Sequence, residues 1–297
     1  MTLSRHNRSG PVGVRPRPAP FTIVTVLHQS APELPGLLRS IDAHLDPRPH
    51  VVAVDSGSTD EGAALARAAG AEVISLDANR GFGAATNAGV ARARDEVAAL
   101  VNPDCELLDA GLATLAARAA ETEALLVPRL LNADGSTQRS AHPLPGRPSS
   151  LLRALVPGPL FPQPRRTRTV GWAIGACLVA RTDILRRLGP FDPNAFLFYE
   201  DLDLCLRART QGIATVVHPD IEVRHLGGRS TERAFDEEPF ALHARRRREV
   251  IGARLGRRAL RLDDAAQAIT FGLRAAVGRD RERNLAAMRA VRAARRG

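Results

Sequence analysis

Three acids open one apparent helix in the stretch FLFYEDLDLCLRARTQG: Glu200, Asp201 and Asp203. Gathered carboxylates cost free energy unless a metal, a proton or an arginine compensates them. A helix N-terminus also favours anions through its dipole. Upstream, VNPDCE places Asp104 just after an apolar run, and downstream VRHLGG supplies His225. An acid at a strand end, an acidic cluster and a later histidine can together build a metal site with a base beside it.

Other residues offer binding chemistry. Asp55, in VDSGSTD, falls at the end of an apolar run in a turn. A carboxylate there can accept the N–H of a uracil or thymine ring, while Asp60 can cap the helix that follows. Asn79, Arg80 and Gly81 begin NRGFGAATNAG. Gly81 and Gly83 permit close backbone approach, and the helix start can face an anion. The spacing is not the dinucleotide fingerprint. Asn87 can serve the same region or be purely structural. Asp203 and Arg207 stand four apart, where a helix lets them pair. Trp172 is the single tryptophan; its flat face suits a sugar ring and suits a core equally well.

The elements that must position these residues alternate. FTIVTVL, HVVAVDS, AEVISLD and EVAALVNPD read as strands. SAPELPGLLRSIDAHL, EGAALARAAG and GAATNAGVARAR read as helices between them, the first with Leu34, Leu37, Leu38 and Ile41 near helical spacing. Such alternation predicts a mostly parallel, twisted α/β sheet. Ligands gather at the carboxyl ends of such strands, where Asp55 and Asp104 fall. Residues 140–170, rich in Pro and Arg, read as loop: a flap over an acceptor or a surface insertion. GWAIGACLVARTDILRRLG returns to strand and helix, and residues 238–297 read as basic amphipathic helix.

Composition bounds the class. The 297 residues, 44% hydrophobic and 25% charged, suit a globular chain. All 42 basic residues are Arg. Residues 241–297 carry 16 Arg against 5 acids, and residues 1–20 carry four Arg and no acid, so the net +10 belongs to the ends. Basic ends suggest an anionic surface: membrane phospholipid, a lipid-linked diphosphate or nucleic acid; a solvated Arg-rich tail is the plainer reading. Cys105, Cys177 and Cys205 are odd in number and far apart, which argues for buried free thiols rather than disulfides or zinc. No apolar run approaches the ~18 residues of a membrane span. The first 20 residues lack the apolar stretch of a signal peptide and read as a disordered leader.

Seven segments carry a family resemblance in order: FTIVTVLHQS, VVAVDSGSTD, NRGFGAATNAG, LVNPDCEL, GWAIGACLVARTDILRRLGPFDP, FLFYEDLDLCLRARTQG and VRHLGGRST. Together they resemble the inverting family 2 glycosyltransferases of GT-A fold, and among those the rhamnosyltransferase-like branch of bacterial cell-surface polysaccharide synthesis. The resemblance implies an α/β GT-A domain over residues 21–237, after the basic leader 1–20 and before a basic helical extension 238–297. It implies Asp201 as catalytic base with Glu200 beside it. It implies donor contacts from Thr25, Val26, Asp55, Asn79, Arg80, Gly81, Asn102 and Asp104, and acceptor contacts from Trp172, Gly175 and Ala176. Asp104 and His225 become ligands of Mg²⁺ or Mn²⁺, with Asn102 standing where many relatives carry a first aspartate.

The implied donor is dTDP-L-rhamnose and the implied acceptor a polyprenyl-linked or growing glycan. The expected place is the cytoplasm, at the inner face of the plasma membrane through the Arg-rich C-terminus. UDP-sugar-dependent galactosyl, glucosyl or N-acetylglucosaminyl transfer is the alternative, and a catalytically silent membrane-associated scaffold is the rival from another class. A nucleotidyltransferase is a second rival, but the chain has no Gly-rich signature with a following Lys near its N-terminus, and no Lys at all. A non-catalytic nucleic-acid or membrane-binding protein is a further rival; the 4% aromatic content, which does not interleave with the arginines, and the acidic middle argue against nucleic acid.

Overall fold

The structure, a computed structural model, describes residues 20–155, 162–189, 191–192, 198–227, 239–278 and 280–296. The proposed leader, apart from Pro20, the boundary near 237 and the RST of the last resembling segment lie outside these residues.

Four strands form a parallel block: β1 (Phe21–Leu27), β2 (His50–Ser56), β3 (Glu72–Leu76) and β4 (Val97–Val101). Then follow β5 (Cys105–Leu107), β6 (Ala124–Leu131), β7 (Ala141–His142), β8 (Arg168–Val170), β9 (Trp172–Ala173), β10 (Cys177–Arg181) and β11 (Ala214–His225). The main sheet runs β3-β2-β1-β4-β10-β6-β11-β5, with β8 on β11; β7 and β9 form a small second sheet. β10 is antiparallel to both β4 and β6, while β11 is parallel to β6.

The central strands are apolar on both faces because helices cover both. On one face α1 (Leu34–His44) and α4 (Gly111–Ala120) pack over Ile23, Val51, Ala99 and Val179. On the other, α3 (Gly81–Arg92), α6 (Thr182–Leu188) and α7 (Glu200–Thr210) pack over Val24, Val54, Leu100 and Leu178. The short α2 (Gly62–Ala68) follows β2. The three cysteines are buried and free; burial pushes Cys177 up to about 12 and Cys205 up to about 11.

Two regions differ from the sequence expectation. Residues 140–170 hold β7, β8 and a helix, α5 (Pro148–Leu155), with Pro at the start where a missing N–H costs nothing. The C-terminal helix α8 (Phe240–Val277) is interrupted at Gly256, where φ is 80° and ψ 175°. Arg247 binds Asp263 through two hydrogen bonds of 2.8 Å, and Arg248 pairs with Asp264. A straight helix would separate residues 16 apart by roughly 24 Å, so the chain doubles back at Gly256 in a conformation open essentially only to glycine. The last helix, α9 (Arg281–Ala294), packs on α8. Val250 and Ile251 carry the first arm of α8 into the core beside α7.

Candidate active site

The donor-side candidates gather where β1 and β2 end side by side, with Leu27 opposite Asp55. Asp55 is buried, and its Oδ1 accepts the Ser58 N–H at 3.0 Å, which shapes the turn. Asp60 accepts from Gly62 N–H at the start of α2 and from Ala31 N–H at 2.7 Å. Gly57 has φ 68°, and a Cβ there would lie 2.6 Å from the Asn79 nitrogen, so the two loops touch through backbone. Asn79 Oδ1 accepts from Gly81 N–H at 2.9 Å and its Nδ2 donates to His28 Nε2 at 3.1 Å. His28 therefore carries its proton on Nδ1 and donates it to the Ser56 carbonyl at 3.1 Å. His28 thus joins three loops, a role that only its position just past β1 could have suggested.

Arg80 is exposed at the rim, and its N–H donates to Ser56 Oγ. Thr25 and Val26 are buried within β1; the Thr25 hydroxyl has no hydrogen-bond partner among the described residues. Asn87 trades two hydrogen bonds with the Phe191 backbone, the structural alternative of the two read for it.

The metal candidates meet through strand pairing. β11 lies antiparallel to β5 with His225 opposite Cys105, which brings the imidazole to Asp104. His225 Nε2 stands 3.4 Å from Asp104 Oδ1, and Leu226 N–H donates to the Asp104 carbonyl. His225 Nδ1 lies 2.9 Å from Gln138 Oε1, and Gln138 Nε2 donates to Asn132 Oδ1. That chain fixes the Gln138 amide, so Nδ1 donates and Nε2 is the ring nitrogen that faces the carboxylate. An outer partner on the far ring nitrogen is the usual arrangement for a metal-binding histidine. No cluster of three or more His, Cys, Asp or Glu occurs among the described residues. One carboxylate and one imidazole are donors that suit Mg²⁺ or Mn²⁺, which would need further oxygen ligands from substrate and water.

The acid pair is held by strain and by backbone. Phe198 and Tyr199 have φ of 72° and 61°, uncommon for bulky residues, and they turn the chain directly into α7. Asp201 Oδ2 accepts from Gly175 N–H at 3.1 Å and Oδ1 from Leu202 N–H at 2.7 Å. The neighbouring Ala176 carbonyl accepts from Asn102 N–H at 2.8 Å and from the Cys105 thiol. Residues 175–176 thus tie the Asp201 carboxylate to the loop that carries Asp104. Burial lifts both Glu200 and Asp201 above the ordinary carboxylate range. Glu200 is lifted further, by its charged neighbour Asp201, and its Oε2 has no partner among the described residues. Two backbone N–H groups hold Asp201 lower. The pair shares its protons unequally: Glu200 keeps one longer and Asp201 ionises first.

The C-terminal helices brace this corner. His243 stacks on Phe198 with centroids 3.7 Å apart, and the Arg247 guanidinium lies 5.4 Å from the centre of the Tyr199 ring. Asp203 accepts from Arg207 Nε and from Arg254 Nε, both at 2.7 Å. The i,i+4 pair is present, and Arg254 from α8 completes it. Trp172 is buried and stacked on His142, with centroids 4.3 Å apart and planes at 16°. One face of the indole is therefore already covered.

Comparison with solved structures defines the class. The mannosyltransferase PcManGT of Pyrobaculum calidifontis, solved with GDP-Man and Mn²⁺, superposes with TM-score 0.57 at 17% identity over 96% of this chain and 84% of that one. Glucosyl-3-phosphoglycerate synthase of Mycobacterium tuberculosis does so with TM-score 0.54 at 18% identity over 80% of each chain. The fold is that of the GT-A glycosyltransferases.

Residues 22–189 match Glycosyl transferase family 2, and the chain belongs to that family. The matched span stops short of Glu200 and His225. In sequence the chain is 29% identical over 238 residues to the N-acetylglucosaminyl-diphospho-decaprenol L-rhamnosyltransferase of Mycobacterium tuberculosis, over 71% of this chain and 77% of that protein. It is 23% identical over 199 residues to the low-salt glycan biosynthesis hexosyltransferase Agl10 of Haloferax volcanii, over 65% of this chain and 62% of that protein.

Proposed function

We propose that the chain transfers L-rhamnose from dTDP-L-rhamnose, with inversion, to a hydroxyl of a lipid-linked cell-envelope glycan. The observation that carries this reading is the link through residues 175–176, which ties the Asp201 carboxylate to the loop that carries Asp104 of the Asp104–His225 pair. The name of the mycobacterial relative supports both the sugar and the lipid diphosphate acceptor.

In this reading Asp55 accepts the pyrimidine N–H, and Asn79, Arg80, Gly81 and Asn102 line the donor. Thr25 and Val26 shape the β1 floor. Asp104 and His225 would hold Mg²⁺ or Mn²⁺, whose charge when bound offsets that of the departing nucleoside diphosphate. Asp201 takes the acceptor proton as the acceptor oxygen bonds to the anomeric carbon and the bond to the diphosphate breaks. Glu200, with its retained proton, orients the acceptor. Gly175 and Ala176 position Asp201 and the metal loop, and Trp172 edges the acceptor side. No helix among the described residues is long and apolar enough to cross a membrane. In this reading the chain meets its lipid acceptor at the cytoplasmic face through exposed C-terminal arginines.

Nucleotide release tests the proposal. The chain is offered dTDP-rhamnose, UDP-glucose, UDP-galactose, UDP-N-acetylglucosamine and GDP-mannose with Mg²⁺ or Mn²⁺ and a polyprenyl diphosphate-linked sugar. Release of dTDP that stops with EDTA is expected. Release of UDP or GDP instead would overturn the rhamnosyl assignment, and no release from any donor would overturn the catalytic one.

A further inference from the structure

A cavity of about 1040 Å³ lies between the α/β domain and the C-terminal helices. His142, Trp172 and Tyr199 form one wall beside the Arg139–Pro145 segment, and α5, α8 and α9 supply most of the rest. Asp55, Asp104 and Asp201 are not in its lining, so it is not the donor pocket. It borders the acid pair through Tyr199, the residue before Glu200.

Its lining carries five arginines (Arg139, Arg153, Arg247, Arg274 and Arg283) against Asp263 and Asp280. Asp263 is engaged by Arg247. The cationic groups feel one another. Burial first, then Arg247 and Arg139, lower His142 to about 4, and burial followed by Arg139 lowers Arg153 below the usual arginine value. Positive groups concentrated in a concave, partly desolvated site attract an anion.

The rim is apolar. The exposed large hydrophobics among the described residues are Leu152 (68%), Leu155 (59%), Leu273 (42%) and Val277 (88%), all on α5 and α8. Leu155, Leu273 and Val277 line this cavity, and Leu152 lies one turn from Leu155. A nucleotide or a free sugar has no use for such a rim. An amphiphile with a diphosphate head and a hydrocarbon chain uses both features.

We propose that this cleft seats a lipid diphosphate, its head against Arg139 and Arg153 and its chain along Leu155, Leu273 and Val277, so that the sugar it carries reaches Asp201 past Tyr199. This rests on the lipid-linked acceptor proposed above and gives it a place.

Trp172 is the only tryptophan and lines the cleft, so its fluorescence reports occupancy without turnover. The full chain is titrated with farnesyl diphosphate, inorganic pyrophosphate and farnesol. Farnesyl diphosphate is expected to give a saturable change, and pyrophosphate and farnesol each to bind at least about tenfold more weakly. Arg139→Gln with Arg153→Gln should weaken farnesyl diphosphate by at least about tenfold. Leu155→Ser with Val277→Ser, both at exposed positions, should weaken farnesyl diphosphate and leave pyrophosphate unchanged. Equal affinity for all three probes, no response to farnesyl diphosphate, or wild-type affinity in both double variants would overturn the proposal. Nucleotide release separates the two readings. Farnesyl diphosphate binding without donor turnover keeps the cleft and removes the transferase; donor turnover without farnesyl diphosphate binding removes the cleft alone.

Discussion

The two ends of the candidate active site are built differently. At the donor end, Asp55, Asp60 and Asn79 each accept a backbone N–H two or three residues on, and Asp60 and Asn79 also tie to the loop after β1 through Ala31 and His28. At the acceptor end, Glu200 and Asp201 follow two residues of positive φ, and their corner is braced by His243, Arg247 and Arg254 from a helix that begins 40 residues later. The first end is built by the loops of the parallel strands themselves, and the second leans on the C-terminal helices. Perturbing the C-terminal helices should therefore damage acceptor chemistry and spare donor binding.

The strongest way to break that contrast is to remove the brace. Arg247→Met leaves Asp263 buried without its partner, which should cost about 3–5 kcal/mol in chemical denaturation. Adding Asp263→Leu should recover most of the loss, because two apolar groups replace the pair. A single variant as stable as wild type would show that α8 does not hold the corner.

On the metal side, Gln138→Ala frees the His225 ring and should weaken Mn²⁺ binding by about 10–100-fold, measured by calorimetry. Nucleotide binding without metal should be unaffected. Next in size, Gly256→Val forces a branched residue into a glycine-only conformation and should cost about 1–3 kcal/mol. Donor affinity should stay within about twofold of wild type, since the affected helices do not reach β1 or β2.

A further prediction concerns stability against pH. The folded state holds the Glu200 proton above the ordinary carboxylate range. The folded chain therefore binds more protons than the unfolded one from about pH 4 upward, and stability falls as pH rises through that window. Glu200→Gln removes this contribution, so its Tm should gain on wild type at pH 8 relative to pH 5. A constant difference across that range would contradict the assignment of the retained proton.

What the sequence could reveal follows the same division. The Asp203–Arg207 pair and the strand–helix alternation obey spacing rules, so they were legible. Asp104 and His225 were legible from motif order, although strand pairing between β5 and β11 is what joins them. His28, Gln138 and Arg254 were not, since their partners lie 51, 87 and 51 residues away and no periodicity links them. The basic C-terminus read as a charged surface. Several of its arginines instead bind acids of the chain itself, Arg247 and Arg248 at Asp263 and Asp264, and Arg254 at Asp203. Charge counting cannot distinguish an arginine that faces solvent from one that closes a hairpin. The helix α5 was hidden for a related reason: eight residues between proline-rich stretches carry too little pattern to stand out.

The central claim is that Asp201 is the base, held by Gly175 beside the metal-competent pair. Its most direct test compares Asp201→Asn with wild type in single-turnover transfer and in donor binding. Asparagine keeps the shape and an acceptor oxygen for Gly175 N–H but cannot take a proton at neutral pH. Transfer should fall by about 10²–10⁴-fold, the usual worth of general base catalysis, with donor affinity unchanged. A variant that transfers at the wild-type rate, or that loses donor binding in step with transfer, would contradict the account.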